Sequence, residues 1–138
     1  MTTVGLTAAA MVVSVGAYAP PALASADVCT SNIKDQKQCV IVTGSGRQVD
    51  RIEAQYRVWG QKGHCWTGHA QVLIGGDHYR NGTDRRFCAT NVWGQSFSLG
   101  VWKKVGRLAA GTRVCTRFWE KSGTKYRDRL GQACAIVG

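Results

Sequence analysis

Alternation of apolar and polar side chains is clearest from Asp50 to Trp59. There Ile52, Ala54, Tyr56 and Val58 share one face, and Arg51, Glu53, Gln55 and Arg57 share the other. A period of two describes a strand with one side buried and the other wet. After a turn at Gly60-Gln61-Lys62-Gly63, the run from His64 to Ile74 sets Trp66, Ala70, Val72 and Ile74 against Cys65, Thr67, His69, Gln71 and Leu73. Gly75-Gly76-Asp77-His78 then reads as a hairpin turn, because glycine takes positive φ without steric cost. From Gln95 to Trp102 the pattern recurs, with Phe97, Leu99 and Val101 against Ser96, Ser98 and Gly100. A shorter β-rich run, Cys39 to Thr43, ends at Gly44-Ser45-Gly46.

The closing stretch, Thr112 to Val137, holds two β-rich runs about Ser122-Gly123-Thr124, and folding it there brings Cys115 opposite Cys134. Leu108-Ala109-Ala110-Gly111 is the one scrap with helical character, too short to stand alone. These elements predict an all-β fold: a single disulfide-stabilised antiparallel β-sandwich, or a small barrel, of about seven to nine strands.

Residues 1–26 carry no charge, contain an apolar run from Ala8 to Val15, and end in Ala22-Leu23-Ala24 and Ala24-Ser25-Ala26, two overlapping small-x-small signals. They read as a secretory signal peptide without a cationic n-region, which assigns the β domain to 27–138. Ser14, Gly16 and Pro20-Pro21 interrupt the apolar run before it could cross a bilayer. Behind such a leader, six cysteines read as three disulfides formed in an oxidising exterior. The favoured pairs each bracket a turn signal: Cys29 with Cys39, Cys65 with Cys88, and Cys115 with Cys134. The cluster Asn81-Gly82-Thr83-Asp84 breaks any continuous ladder between Cys65 and Cys88, so a bond from either to Cys39 in the facing sheet is the alternative.

Charge narrows the partners. Lys and Arg number 18 against 8 Asp and Glu, a net charge of +10. The excess is dispersed, with Arg85-Arg86 and Lys103-Lys104 as adjacent pairs, and no run resembles a nucleic-acid arm or a polybasic membrane tract. An anionic cell-wall glycan or an acidic partner protein would feel this field. His64 and His69 fall on opposite faces of one strand and His78 in a turn, so no three-histidine site forms, and oxidised cysteines supply no thiolate. No metal or cofactor is expected. The acids are scattered, without the paired carboxylates or the nucleophile, base and acid set of a hydrolase, so the chain reads as non-enzymatic.

Five tryptophans remain to be placed. Trp66 falls on the apolar face of its strand, whereas Trp59 and Trp102 fall on polar faces and are candidate binding residues, as aromatic anchors of a protein interface or as platforms for sugar rings. The polar N-terminal segment from Asp27 to Gln38 could dock by adding a strand to a partner's sheet. With the neighbouring polar face it contributes Ile33, Lys34, Lys37 and Arg57 as further candidates.

Two runs, Gly63-His64-Cys65-Trp66-Thr67-Gly68-His69 and Val114-Cys115-Thr116-Arg117-Phe118-Trp119-Glu120-Lys121, with Tyr126, Cys134 and the Ala-Pro-Pro-Ala-Leu-Ala-Ser-Ala leader, resemble small exported actinobacterial β-sandwich proteins. Among these are the small adaptor subunits of umbrella toxin particles. The resemblance implies an adaptor joining a lectin-bearing subunit to a large toxin subunit in a secreted antibacterial assembly.

Overall fold

A computed structural model describes residues 25–138 except Asn32 and Lys34. The expected signal peptide, but for Ser25 and Ala26, and the candidate Lys34 lie outside the described residues. Ten strands form two antiparallel sheets, and no helix occurs among the described residues. The first sheet runs β1 (Ala26–Cys29), β2 (Gln36–Ser45), β3 (Gln48–Val58), β7 (Gln95–Arg107). In the second, β8 (Arg113–Ser122) and β4 (Cys65–Ile74) pair centrally. Both outer positions of this sheet are broken in two. Beside β4 lie β5 (Asp77–Asn81) and β6 (Arg85–Cys88), and beside β8 lie β9 (Lys125–Arg127) and β10 (Ala133–Ile136). These short pieces, together with β1, account for strands beyond those the long alternating runs announce.

The breaks explain how reflection about a turn finds a distant pair. Around Gly123 the ladder pairs Ser122 with Lys125, but beyond residues 128–132 the register has slipped by two, and that slip sets Cys115 against Cys134. Around Gly75-Gly76, Ile74 pairs with Asp77. A bulge at Val72/Leu73 and the break at 82–84 each add a residue before Cys65 meets Cys88. Neither hairpin is continuous; each closes because its irregularities are small. All three expected disulfides, Cys29–Cys39, Cys65–Cys88 and Cys115–Cys134, are formed.

Ile52, Ala54, Tyr56 and Val58 are all buried, as their alternation requires. The core between the sheets has an aromatic half, with Tyr56, Trp66, Phe87 and Phe118 in mutual ring contact, and an aliphatic half built on Val40, Val42, Ile52, Val72 and Val114. Burial pushes the Tyr56 hydroxyl up, out of the usual phenol range, and Arg129 partly opposes this. A polar bridge ties one sheet to the other: the Gln38 side-chain amide donates to Thr116 Oγ1 at 2.9 Å, and that hydroxyl donates to the Cys39 carbonyl at 3.1 Å. Both side chains are fully buried. Replacing Thr116 by Val keeps the shape but removes one partner each from the buried Gln38 amide and Cys39 carbonyl, leaving the 3.2 Å bond between those two groups. Urea denaturation should show a loss of about 1–3 kcal/mol; a change below a few tenths would mean that water replaces the bridge.

Candidate functional site

Three connections meet at the aromatic end of the sandwich: the one that ends at Asp35, and those over 59–64 and 89–94. Backbone hydrogen bonds knit them together, from Trp59 N to Asp35 O at 3.0 Å, Gly60 N to Val92 O at 2.9 Å, Gly63 N to Ala89 O at 2.8 Å and Ala89 N to His64 O at 2.9 Å. The loop before β7 is also held by its own side chains. Gln95 Oε1 accepts from Thr90 N at 2.6 Å and Asn91 N at 3.2 Å, while Asn91 Oδ1 accepts from Trp93 N at 3.0 Å and Gly94 N at 3.3 Å. Such Asx-type bonds fix a turn without a ladder. A Cβ on Gly94, at φ 137°, would lie 2.9 Å from the Trp59 ring, so this glycine lets the loop pack flat against the indole.

The braced end presents apolar surface to solvent. Trp93 is 86% exposed, Val92 51% and Trp59 38%. The Lys37 ammonium sits 5.4 Å from the Trp59 ring centroid, a cation–π contact at the rim. Ile33 is half-buried against the aromatic core beneath. Of the candidates read from sequence, Trp59, Lys37 and Ile33 therefore share this end, and Trp93 and Val92 join them unforeseen. The available signal was composition: turn formers Thr90, Asn91 and Gly94 flank two large apolar residues that alternation could not place.

The expectation that Trp102 is exposed on the polar face is corrected. Opposite Ala54/Gln55 the ladder skips Leu99, so this bulge reverses the alternation. Val101 turns out to solvent, 39% exposed, and Trp102 turns in to pack against both halves of the core, its ring lying over Gly100. Arg57 is likewise committed elsewhere. Its guanidinium donates to Asp27 at 2.9 Å, to Gln55 Oε1 at 3.0 Å and to Cys29 Sγ at 3.4 Å, forming a polar chain across the outer face of the first sheet. That chain continues through Gln55 and Arg51 to Glu53, which is why a carboxylate on the wet side of β3 is buried.

A second cluster lies on the outer face of the other sheet. Asp84 Oδ1 is 2.7 Å from His69 Nδ1, Asp84 Oδ2 accepts from the Tyr126 hydroxyl at 2.5 Å, and Lys121 stands 3.6 Å away. The bonds from Tyr126 and His69 hold the Asp84 carboxyl below the usual carboxylate range, and the same carboxylate pushes the Tyr126 hydroxyl up. The grouping has an oriented imidazole, but among the described residues no hydroxyl or thiol is bonded to it, and every described cysteine is oxidised. Its evident work is to latch the break between β5 and β6 onto β4 and β9. Asp27, Cys29 and Cys39 bring three potential metal donors together, yet both sulfurs are cross-linked and the carboxylate is bound to Arg57.

No protein-family model, curated protein or solved structure matches the chain. What the molecule defines by itself is a small disulfide-bonded all-β protein, with no helix among the described residues long and apolar enough to cross a membrane.

Proposed function

We propose that this is a non-enzymatic extracellular binding protein that docks a partner protein through the end formed by Trp93, Val92 and Trp59. The observation that carries this reading is an indole 86% exposed on a loop locked by side-chain hydrogen bonds. Leaving an aromatic of this size in water forgoes about 2–3 kcal/mol of burial. A pre-ordered loop that does so has little entropy left to lose on binding, which is how interface anchors work. Three disulfides suit an oxidising exterior. The likeness to umbrella-particle adaptors supplies a partner class, a lectin-bearing or large toxin subunit exported alongside.

The test is affinity capture from the culture supernatant of the producing cell, with the captured chains identified by mass spectrometry. Wild type should retain a partner, and Trp93→Ala should weaken capture by about a hundredfold, as for an interface hot spot, while its melting temperature stays within about 1 °C. Retention on insoluble glycan, lost in the same variant, would instead assign the end to sugar stacking. A monomer that binds neither would overturn the reading.

A further inference from the structure

We propose that the opposite end of the molecule is a second binding site, for a linear polyanion: an acidic glycan or polyol chain bearing carboxylate or phosphodiester charges. The strand register gathers five cations there. Arg51 pairs directly with Lys103 across β3 and β7, Gln48 pairs with Arg107, and the Leu108 amide donates to the Arg47 carbonyl at 2.9 Å. Lys104 completes the group. Because Ile52, Val49 and Trp102 point inward, Arg51 and Lys103 project together from the outer face. Arg47, Lys103, Lys104 and Arg107 are all exposed.

Like charges directly opposite one another destabilise a sheet. Elsewhere four cations are paired, Arg57 with Asp27, Arg117 with Asp128, Arg129 with Glu120 and Lys121 with Asp84. Arg80, Arg86, Lys125 and Arg127 carry no ion pair among the described residues, but none of them faces another cation across its ladder. Here Arg51 alone is paired, to Glu53, and one exposed acid, Asp50, stands among the cations. The backbone points the same way. Lys104 has φ 55°, in the left-handed region that glycine occupies at least cost, beside an irregularity in the β3–β7 ladder; two residues on, Gly106 takes φ 112°. A lysine kept where glycine would be easier is consistent with use of its charge.

The nature of the surface selects among anions. Exposed Trp59, Trp93 and Tyr126 lie elsewhere on the molecule, and Trp102, the indole nearest the cluster in sequence, is turned inward. Single-stranded nucleic acid is held by stacking on aromatic rings; here Tyr79 is half-buried against the aliphatic core with the Arg80 guanidinium 4.7 Å over its ring, whereas a chain of regularly spaced charges without bases needs no ring. Three guanidinium groups favour carboxylate or phosphate, which they bind through two parallel hydrogen bonds. β3 spans eleven residues, about 35 Å, so the cationic and aromatic ends are far enough apart for both to be occupied. The protein would then bridge an anionic matrix and a protein partner.

The experiment measures binding of the oxidised protein to polygalacturonate, to inorganic polyphosphate and to single-stranded DNA at low salt. Two triple variants are compared. Lys103→Gln/Lys104→Gln/Arg107→Gln should weaken binding to the better of the first two probes by about a hundredfold. Arg86→Gln/Lys125→Gln/Arg127→Gln, which removes equal charge from the other sheet, should weaken it less than about threefold. Whichever probe binds better identifies carboxylate or phosphodiester as the source. Trp93→Ala should leave polyanion binding unchanged, which separates this site from the aromatic one. Equal losses in the two triple variants, tighter binding to single-stranded DNA, or no binding of either polymer by the wild type would overturn the proposal.

Discussion

Alanine at position 68 should be among the most damaging single substitutions in the chain, lowering stability by about 3 kcal/mol or more. Gly68 is buried in the middle of β4, paired on one side with Arg85 of β6 and on the other with Glu120 of β8. A Cβ placed there would lie 2.1 Å from the Trp119 carbonyl oxygen and 2.9 Å from two ring atoms of Phe118. The oxygen belongs to backbone, so no rotamer relieves the overlap; β8 must move away from β4, and those two strands form the centre of their sheet. Moving β8 also disturbs Phe118, which packs edge-on to Tyr56 and Phe87. For a domain of this size the loss corresponds to about 10–20 °C in melting temperature. Gly123→Ala provides the contrast. Its φ is 62° and nothing lies within 4 Å of the added methyl, so the cost is the backbone preference alone, about 1 kcal/mol. Thermal denaturation of the oxidised proteins decides: if Gly68→Ala melts no lower than Gly123→Ala, the close approach of β8 to β4 is wrong.

Gly68 also marks the limit of what the sequence discloses. Period two in Asp50–Trp59 identifies the buried face of β3 residue by residue, because that face is defined by local alternation. A glycine that admits a neighbouring carbonyl is defined by tertiary contact, and in the sequence it reads as an ordinary interruption of a strand. Trp102 fails for a related reason: a single skipped residue at Leu99 inverts Gly100 to Lys103, until a second irregularity at Lys104-Val105 turns Val105 back to the core, and no side-chain pattern announces either shift. The cysteine pairs succeed because a turn signal and a short chain between partners leave few alternatives, even where the ladder between them breaks. The candidate site divides along the same line. Trp59, one residue beyond β3, has the exposure that the alternation of that strand predicts, whereas Trp93 lies in a loop whose order comes from Asn91 and Gln95 side chains, beyond the reach of periodicity.

Reduction of the three disulfides should unfold the protein, and their individual removal should follow an order set by packing. Each bond joins a four-residue strand to a ten-residue one: β1 to β2, β6 to β4, β10 to β8. Each also sits at the same kind of position. Backbone bonds from Thr30 N to Gln38 O and from Ala89 N to His64 O fall one residue outside the first two pairs, and that from Val137 N to Thr112 O falls three residues outside the last. By the alternation of an antiparallel ladder, every cysteine pair occupies a non-hydrogen-bonded site, where opposite side chains approach most closely. Closing loops of separation 10, 23 and 19 removes entropy from the unfolded chain worth about 3 kcal/mol each. Together that is comparable to the whole net stability of a typical domain, about 5–15 kcal/mol.

Loop length separates the three bonds by less than 1 kcal/mol or so, so the strands they anchor decide the ranking. β6 and the residue after it bury Phe87 and Ala89 in the aromatic core; β10 and the residue after it bury Ala133, Ala135 and Val137 in the aliphatic one; Ala26 and Val28 of β1 are only half-buried. Cys65→Ala/Cys88→Ala should therefore cost most, about 4–5 kcal/mol, Cys115→Ala/Cys134→Ala somewhat less, and Cys29→Ala/Cys39→Ala least, about 2–3 kcal/mol. The first pair has a functional consequence as well, because Cys88 is followed directly by the loop that carries Trp93, and without the cross-link that loop loses its fixed base. At temperatures where all three variants remain folded, partner capture should fall in Cys65→Ala/Cys88→Ala and persist in Cys29→Ala/Cys39→Ala. Denaturation curves read alongside capture test both parts: a reduced wild type that still melts cooperatively near the oxidised temperature would refute the entropic argument. Equal capture by the two variants would detach the aromatic loop from the bond beneath it.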